Sequence, residues 1–167
     1  MYWYVVHVRT NYTNQVVEFF NRFDDISAFV PKMERWYNIK GKKDYLIKDL
    51  YPDYVFIKTS LNLDEFKKQF HHFFNSVDNL ASLLEHDEIY ALDDQEVVLL
   101  EKMLNNEKIV RHSVGNIVNS VLIVDQGPLI GLEDKVIKID RHKRLATLEL
   151  SLSNKQMKVP LEVVSKS

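Results

Sequence analysis

Hydrophobic positions in the first hundred residues follow two rhythms, one of period two and one of period 3.6. Residues 3–9, Trp-Tyr-Val-Val-His-Val-Arg, are β-branched and aromatic and predict a strand. Asn11-Tyr12-Thr13-Asn14 is turn chemistry that can cap a helix. Val16, Phe19, Phe20 and Phe23 then recur at i, i+3, i+4 and i+7, on one helical face, with Glu18 and Arg22 turned to water. Residues 27–37 read as extended, residues 38–43 as the polar tip of a long hairpin, and residues 44–50 as its return. Tyr51-Pro52-Asp53 stops that strand, because proline has no N–H for a central ladder. In the next strand Tyr54, Phe56 and Lys58 share one face, Val55 and Ile57 the other. A second helix starts at Leu63 or Asp64, with Phe66, Phe70, Phe73 or Phe74, and Val77 as its stripe. Residues 80–92 hold one short strand around Ile89. Asp93 or Asp94, followed by Gln95 or Glu96, starts a third helix in capping-box fashion, with Val97, Leu100 and Leu104 on its apolar side.

The pattern changes after residue 106. Residues 107–119 have a weak period and contain Gly115 and two asparagines, and they read as a linker, strand pairing of residues 109–114 being the alternative. Residues 121–124, 135–140, 145–152 and 156–161 are short strand patterns, with a last turn at 162–164. So many short strands in under fifty residues predict a small barrel. The expected fold class is therefore α+β. An antiparallel sheet flanked by helices occupies residues 1–106, a linker 107–119, and a small β-barrel 120–167.

Composition narrows the chemistry. The chain has 167 residues, 46% hydrophobic and 28% charged, which is a globular composition. It has no cysteine, so disulfides, thiolate metal sites and cysteine nucleophiles are excluded. No apolar run approaches the roughly 18 residues a membrane span needs. The start shows no basic region followed by an apolar core, so no signal peptide is expected and the expected location is cytoplasmic. The net charge of −2 hides an asymmetry: residues 1–106 carry −5, residues 107–119 +1 and residues 120–167 +2. The C-terminal part is the better candidate for meeting phosphates.

The most informative stretch is residues 127–144. A glycine-framed turn, Gly127-Pro128 to Gly131, leads to a strand with Val136 and Lys138 on one side and Ile137 and Ile139 on the other. It ends in a tip of four basic or potentially basic side chains. Lys138, Arg141, His142, Lys143 and Arg144 are thus the candidate nucleic-acid contacts. Charge alone leaves a solvated hairpin turn equally open. Adjacent His71 and His72 point about 100° apart on a helix, so a shared metal is not expected. The acidic run Glu85, Asp87, Glu88, Asp93, Asp94, Glu96 and Glu101 suits helix capping and a face that repels nucleic acid. An enzyme built on it would need a pocket lined by those carboxylates. No phosphate-cradling glycine loop, nucleophile elbow or Ser-His-Asp signature accompanies it, so neither catalysis nor a cofactor is expected.

Two segments carry a family resemblance. The order strand, helix, long hairpin, Pro-x-Tyr-Val-Phe-Ile strand, helix, helix, opening Trp3-Tyr4-Val5-Val6, resembles the NusG N-terminal (NGN) domain of bacterial transcription elongation factors. Residues 125–136, Asp-Gln-Gly-Pro-Leu-Ile-Gly-Leu-Glu-Asp-Lys-Val, resemble the KOW motif that opens a small SH3-like barrel. Gly-Pro-Leu-Ile-Gly-Leu-Glu with Ile-Asp-Arg-His-Lys-Arg is similar to the LoaP subgroup of NusG paralogs.

The resemblance implies a monomeric antitermination factor that rides on RNA polymerase and reads a structured leader-RNA hairpin through the KOW domain. Tyr51, Tyr54 and Phe56 match the apolar patch that meets the polymerase clamp helices, a core position being the alternative for all three. Arg9 falls near upstream DNA, and Lys40, Lys42 and Lys43 form the hairpin tip, ordinarily a solvated loop. Two further readings stand beside this one: a general NusG-type elongation factor whose KOW domain binds proteins, and a ribosome-associated KOW protein. If about four cations neutralise phosphates, a fourfold rise in salt should weaken RNA binding on the order of a hundredfold. Two family glycines are replaced, by Asp53 and Asp134. Aspartate tolerates positive φ, so the turns can survive.

Overall fold

The computed structural model of the chain describes residues 1–76, 80–152 and 155–167. Val77, expected on the second helical stripe, lies outside the described residues. The first ten elements are β1 (Tyr2–Val8), α1 (Thr13–Phe20), β2 (Ile26–Phe29), β3 (Lys32–Ile39), β4 (Lys42–Asp49), β5 (Tyr54–Thr59), α2 (Leu63–Ser76), α3 (Leu80–Leu83), β6 (Leu84–Ala91) and α4 (Asp94–Met103). They are followed by β7 (Ile109–Val110), β8 (Ser113–Val118), β9 (Val121–Gln126), a 3-10 turn (Glu133–Lys135), β10 (Val136–Asp140), β11 (Leu145–Leu152) and β12 (Lys155–Lys166). The chain forms two compact units. Met1–Val30 with Tyr51–Val97 make the first, and Pro31–Leu50 with Val98–Ser167 the second. The long hairpin thus clusters with the C-terminal residues, a different division from the expected cuts at 106 and 120.

The first unit is a four-stranded antiparallel sheet in the order β2-β5-β1-β6. Tyr4, Val6 and Val8 of β1 and Val55 and Ile57 of β5 share one face. Against them pack Val16, Phe19 and Phe20 of α1, Phe66, Phe70 and Phe73 of α2, and Leu80 and Leu84. The periodicity of 3.6 in those helices therefore puts the expected residues in the core. On the opposite face Trp3 stands across from Lys58, Val5 from Phe56 and His7 from Tyr54.

Local signals mostly hold. Asn62 caps α2: its Oδ1 accepts the Glu65 N–H at 3.0 Å and its Nδ2 donates to Glu65 Oε1 at 3.0 Å. Asp93 caps α4 by accepting the Glu96 N–H at 2.8 Å. The first helix differs. Tyr12 occupies its N-cap with no side-chain cap bond, and Asn11 instead takes a φ of 75° in the turn before it. Asp53 adopts a φ of 69°. Its carbonyl accepts the Val8 N–H at 2.8 Å and its carboxylate the Thr10 hydroxyl at 3.1 Å, so the turn survives the loss of glycine. Asp134 instead lies in the 3-10 turn.

The second unit holds two sheets. Hairpin β3–β4 is extended by β7, which runs parallel to β3, in the order β4-β3-β7. A five-stranded sheet has the order β10-β11-β12-β8-β9. Strand β12 is long and serves two partners: Pro160 and the residues before it pair with β11, and Leu161 to Lys166 pair parallel to β8. The expected turn at 162–164 is therefore continuous strand. The expected linker, 107–119, is also corrected, since it contains β7 and β8. Its inward positions on β8 are Ser113 and Gly115. A Cβ at Gly115 would lie 2.5 Å from the Ile123 carbonyl oxygen, so the strand must be small where it faces inward. That leaves no hydrophobic alternation to read. Among the described residues β9 and β10 each have a single ladder partner, β8 and β11.

Candidate nucleic-acid interface

The tip between β10 and β11 is shaped by its own first residue. The Asp140 carboxylate accepts the Lys143 N–H at 2.9 Å. That bond, helped by the charges of Lys143 and His142, holds the carboxyl below its ordinary range. Arg144 closes the turn with a φ of 52°. The turn leaves Arg141, His142 and Lys143 exposed, and Lys138 is exposed on β10. Arg141 Nη2 reaches the Val163 carbonyl oxygen only at 3.5 Å.

Arg144 is half-buried instead. Its guanidinium lies 3.7 Å from the centre of the Trp36 ring. Nη1 donates to the Tyr45 hydroxyl oxygen at 3.1 Å and sits 3.3 Å from Glu162 Oε1. Tyr45 stacks in turn on His112, centroids 4.2 Å apart and planes 8° off parallel. The His112 ring nitrogen Nδ1 is 3.0 Å from Glu34 Oε2, and its backbone N–H donates to Glu34 Oε1 at 3.2 Å. This chain of contacts clasps the β3–β4 hairpin to the strands around the tip. No local pattern in the sequence announces it. Trp36 and Tyr45 are cross-strand partners, and Arg144 and Glu162 arrive from far along the chain.

The division into units sharpens the charge asymmetry. The first unit has 5 Lys+Arg and 13 Asp+Glu, a net −8, and the second has 17 and 11, a net +6. The hairpin accounts for the difference from the sequence-based split, since it brings its lysines to the second unit.

The aromatic surface of the first unit needs a larger correction. Tyr51 is 4% exposed and Phe56 0%, with rings 6.0 Å apart, so neither presents a contact surface. Phe56 belongs to the sheet face opposite α1 and α2, where Trp3 and Val5 are buried with it and His7, Tyr54 and Lys58 are half-buried. Beside Tyr51, burial pushes the Glu96 carboxyl up to about 7, with Asp93 adding to it. Burial raises the Tyr51 hydroxyl well above the ordinary phenol range, and Glu96 raises it further. Tyr54 is half-buried and stacked on His7, centroids 4.6 Å apart, and the His7 and His86 rings lie 5.4 Å apart between centroids with planes at 67°. Arg9 is exposed, and its Nε donates to the Leu84 carbonyl at 3.0 Å. Lys40, Lys42 and Lys43 are exposed around the turn at Gly41.

Among the described residues no group of three or more His, Asp or Glu is placed to hold a metal ion, and no helix is long and apolar enough to cross a membrane. Fold and charge together define a mixed α+β protein of two oppositely charged compact units. A family model described as transcription termination factor nusG matches residues 1–101. The chain belongs to the NusG family of transcription elongation and termination factors, whose members bind RNA polymerase. No curated protein matches the chain.

Proposed function

We propose that the protein is a specialised NusG paralog that acts as a processive antiterminator. Its NGN-like domain, residues 1–106, holds RNA polymerase, and its KOW-like domain, residues 120–167, holds a structured leader-RNA hairpin. The observation that carries this is the charge division, −8 against +6, with Lys138, Arg141, His142 and Lys143 exposed at one end of the cationic unit. Phosphates are drawn to such a surface and repelled by the other unit. Duplex RNA hides its bases in a deep groove, so these side chains read backbone shape. The RNA contact raises the local concentration of the factor at the polymerase. No bond is made or broken, and the protein works without a cofactor, in the cytoplasm. In this reading Tyr54, the half-buried member of the aromatic set, touches the polymerase clamp, and the exposed Arg9 touches upstream DNA.

The RNA test is a gel shift of the full chain with structured leader RNAs. Arg141→Ala is expected to weaken the shift and Arg144→Ala to leave it nearly intact; absence of any shift with the unaltered chain overturns the RNA assignment. For the polymerase, Tyr54→Ala is expected to abolish co-purification with RNA polymerase while circular dichroism is unchanged. Undiminished binding of that variant removes Tyr54 from the contact.

A second reading has its own observation. The outer strands β9 and β10 flank a cleft of about 720 Å³ lined by Val121, Ile123, Ile137 and Ile139, a shape suited to an added strand of a partner protein. Pull-down of a protein lost on Ile123→Lys, with no RNA shift, would favour a general NusG-type factor.

A further inference from the structure

The β3–β4 ribbon has two unlike faces. Residues paired across an antiparallel ladder point the same way. Glu34 with Ile47, and Trp36 with Tyr45, form the face held by Arg144 and His112. Arg35 with Leu46, Tyr37 with Asp44, Ile39 with Lys42 and Met33 with Lys48 form the other. On that second face Ile39 is 56% and Leu46 43% exposed. With Tyr37, Lys40, Lys42, Lys43 and Asp44 they line a groove of about 650 Å³. The Tyr37 ring has the Arg35 guanidinium 5.9 Å and the Lys48 ammonium 5.7 Å from its centre. Residues 35–48 carry five Lys or Arg against one acid, Asp44. The Asp44 carboxylate accepts the N–H of Tyr45 at 2.8 Å.

We infer that this open face binds unpaired nucleotides of RNA, with a base stacked at Tyr37 and the flanking cations on the phosphates. The inference rests on the RNA-binding reading above and adds a second contact to it. An aromatic ring set among cations, with aliphatic side chains as a floor, matches what an unstacked base and its charged backbone require. Paired bases already stack on one another and offer no free face, so the ribbon selects loop or bulge nucleotides. The clasp fixes where the platform can sit. Arg144 follows the tip residues directly and ends on Trp36 and Tyr45, so the back of the ribbon is tied to the turn that carries Arg141 and Lys143. Stem and loop of one hairpin RNA then meet different elements of the same unit.

The experiment uses the full chain and two probes: an RNA stem-loop with an unpaired uridine-rich loop, and the same stem closed by a polyethylene glycol linker. Affinities are read by fluorescence anisotropy at one salt concentration. Tyr37→Ala is expected to weaken stem-loop binding about tenfold or more while leaving the linker-closed stem unchanged. Tyr37→Phe should stay within about twofold of the unaltered protein, because the stacking face remains. Arg141→Ala should weaken both probes. Lys42→Gln offers a second handle that leaves Tyr37 in place, with a loss of a few-fold on the stem-loop alone. Full affinity of Tyr37→Ala for the stem-loop, or an equal loss on both probes, overturns the inference. If the unaltered protein binds neither probe, the RNA-binding reading falls with it. If Arg141→Ala weakens both and Tyr37→Ala neither, that reading stands and the platform alone is refuted.

Discussion

Arg144 is the sharpest test of how the cationic unit is built. Replacement by alanine removes three contacts at once. The guanidinium 3.7 Å from the Trp36 centroid contributes about 1–2 kcal/mol, since the ring shields it from water. The hydrogen bond to the Tyr45 hydroxyl adds about 1 kcal/mol. The ion pair with Glu162 has side chains 25% and 28% exposed, so solvent screening limits it to less than about 1 kcal/mol. The expected loss for Arg144→Ala is therefore about 3 kcal/mol, a large fraction of a typical domain's stability. Arg144→Lys should lose roughly half as much, keeping charge but not the planar fork. Urea denaturation followed by tryptophan fluorescence measures both. A double-mutant cycle with Trp36→Leu should give a coupling of about 1 kcal/mol or more. RNA affinity should fall far less than for Arg141→Ala. The reasoning fails if Arg144→Ala costs under about 0.5 kcal/mol and weakens RNA binding as strongly as Arg141→Ala does. Arg144 would then be a free tip cation.

Three further outcomes are expected. With Arg144 withdrawn, each of Lys138→Ala, Arg141→Ala and Lys143→Ala should reduce the slope of log affinity against log salt by about one, and an unchanged slope would mean that the side chain meets no phosphate. Gly127→Ala should destabilise the second unit by about 2–4 kcal/mol, because φ is 100° and a Cβ would lie 2.6 Å from Ser113 Cα; a thermal melt equal to that of the parent would contradict it. The third concerns pH. Glu96 rises from 4.5 to about 7 on folding, so the folded state prefers the protonated carboxyl. Its favourable contribution is full below about 4.5 and is lost as pH rises through about 7. Glu96→Gln should remove that decline, gaining stability on the parent between pH 5 and pH 8 in urea titrations, and parallel pH profiles for the two proteins would refute the assignment.

Much of the first unit could be read along the chain. Its helices show 3.6-residue stripes of Phe and Val, and those stripes became the core against Tyr4, Val6, Val55 and Ile57. Asp93 and the positive φ of Asp53 were equally legible, since capping and turn geometry depend on residues within a few positions. The candidate sites were less so. Tyr51, Tyr54 and Phe56 form an aromatic cluster in sequence, yet two of the three are buried. An alternating strand shows which residues share a face and says nothing of whether a second layer covers it. Strand β8 carries little hydrophobic alternation because close approach of backbone demands Ser113 and Gly115 where a hydrophobic signal would otherwise stand.

Composition and period, being local, settled the element types, the absence of thiol chemistry and the basic character of the tip. The grouping of the hairpin with residues 98–167, and with it the −8 and +6 division, came from contacts between residues a hundred positions apart. So did the fate of Arg144: four cations in a row look alike in a string, and only the ring of Trp36 and the carboxylate of Glu162 separate the one that holds the unit together from the three that face water.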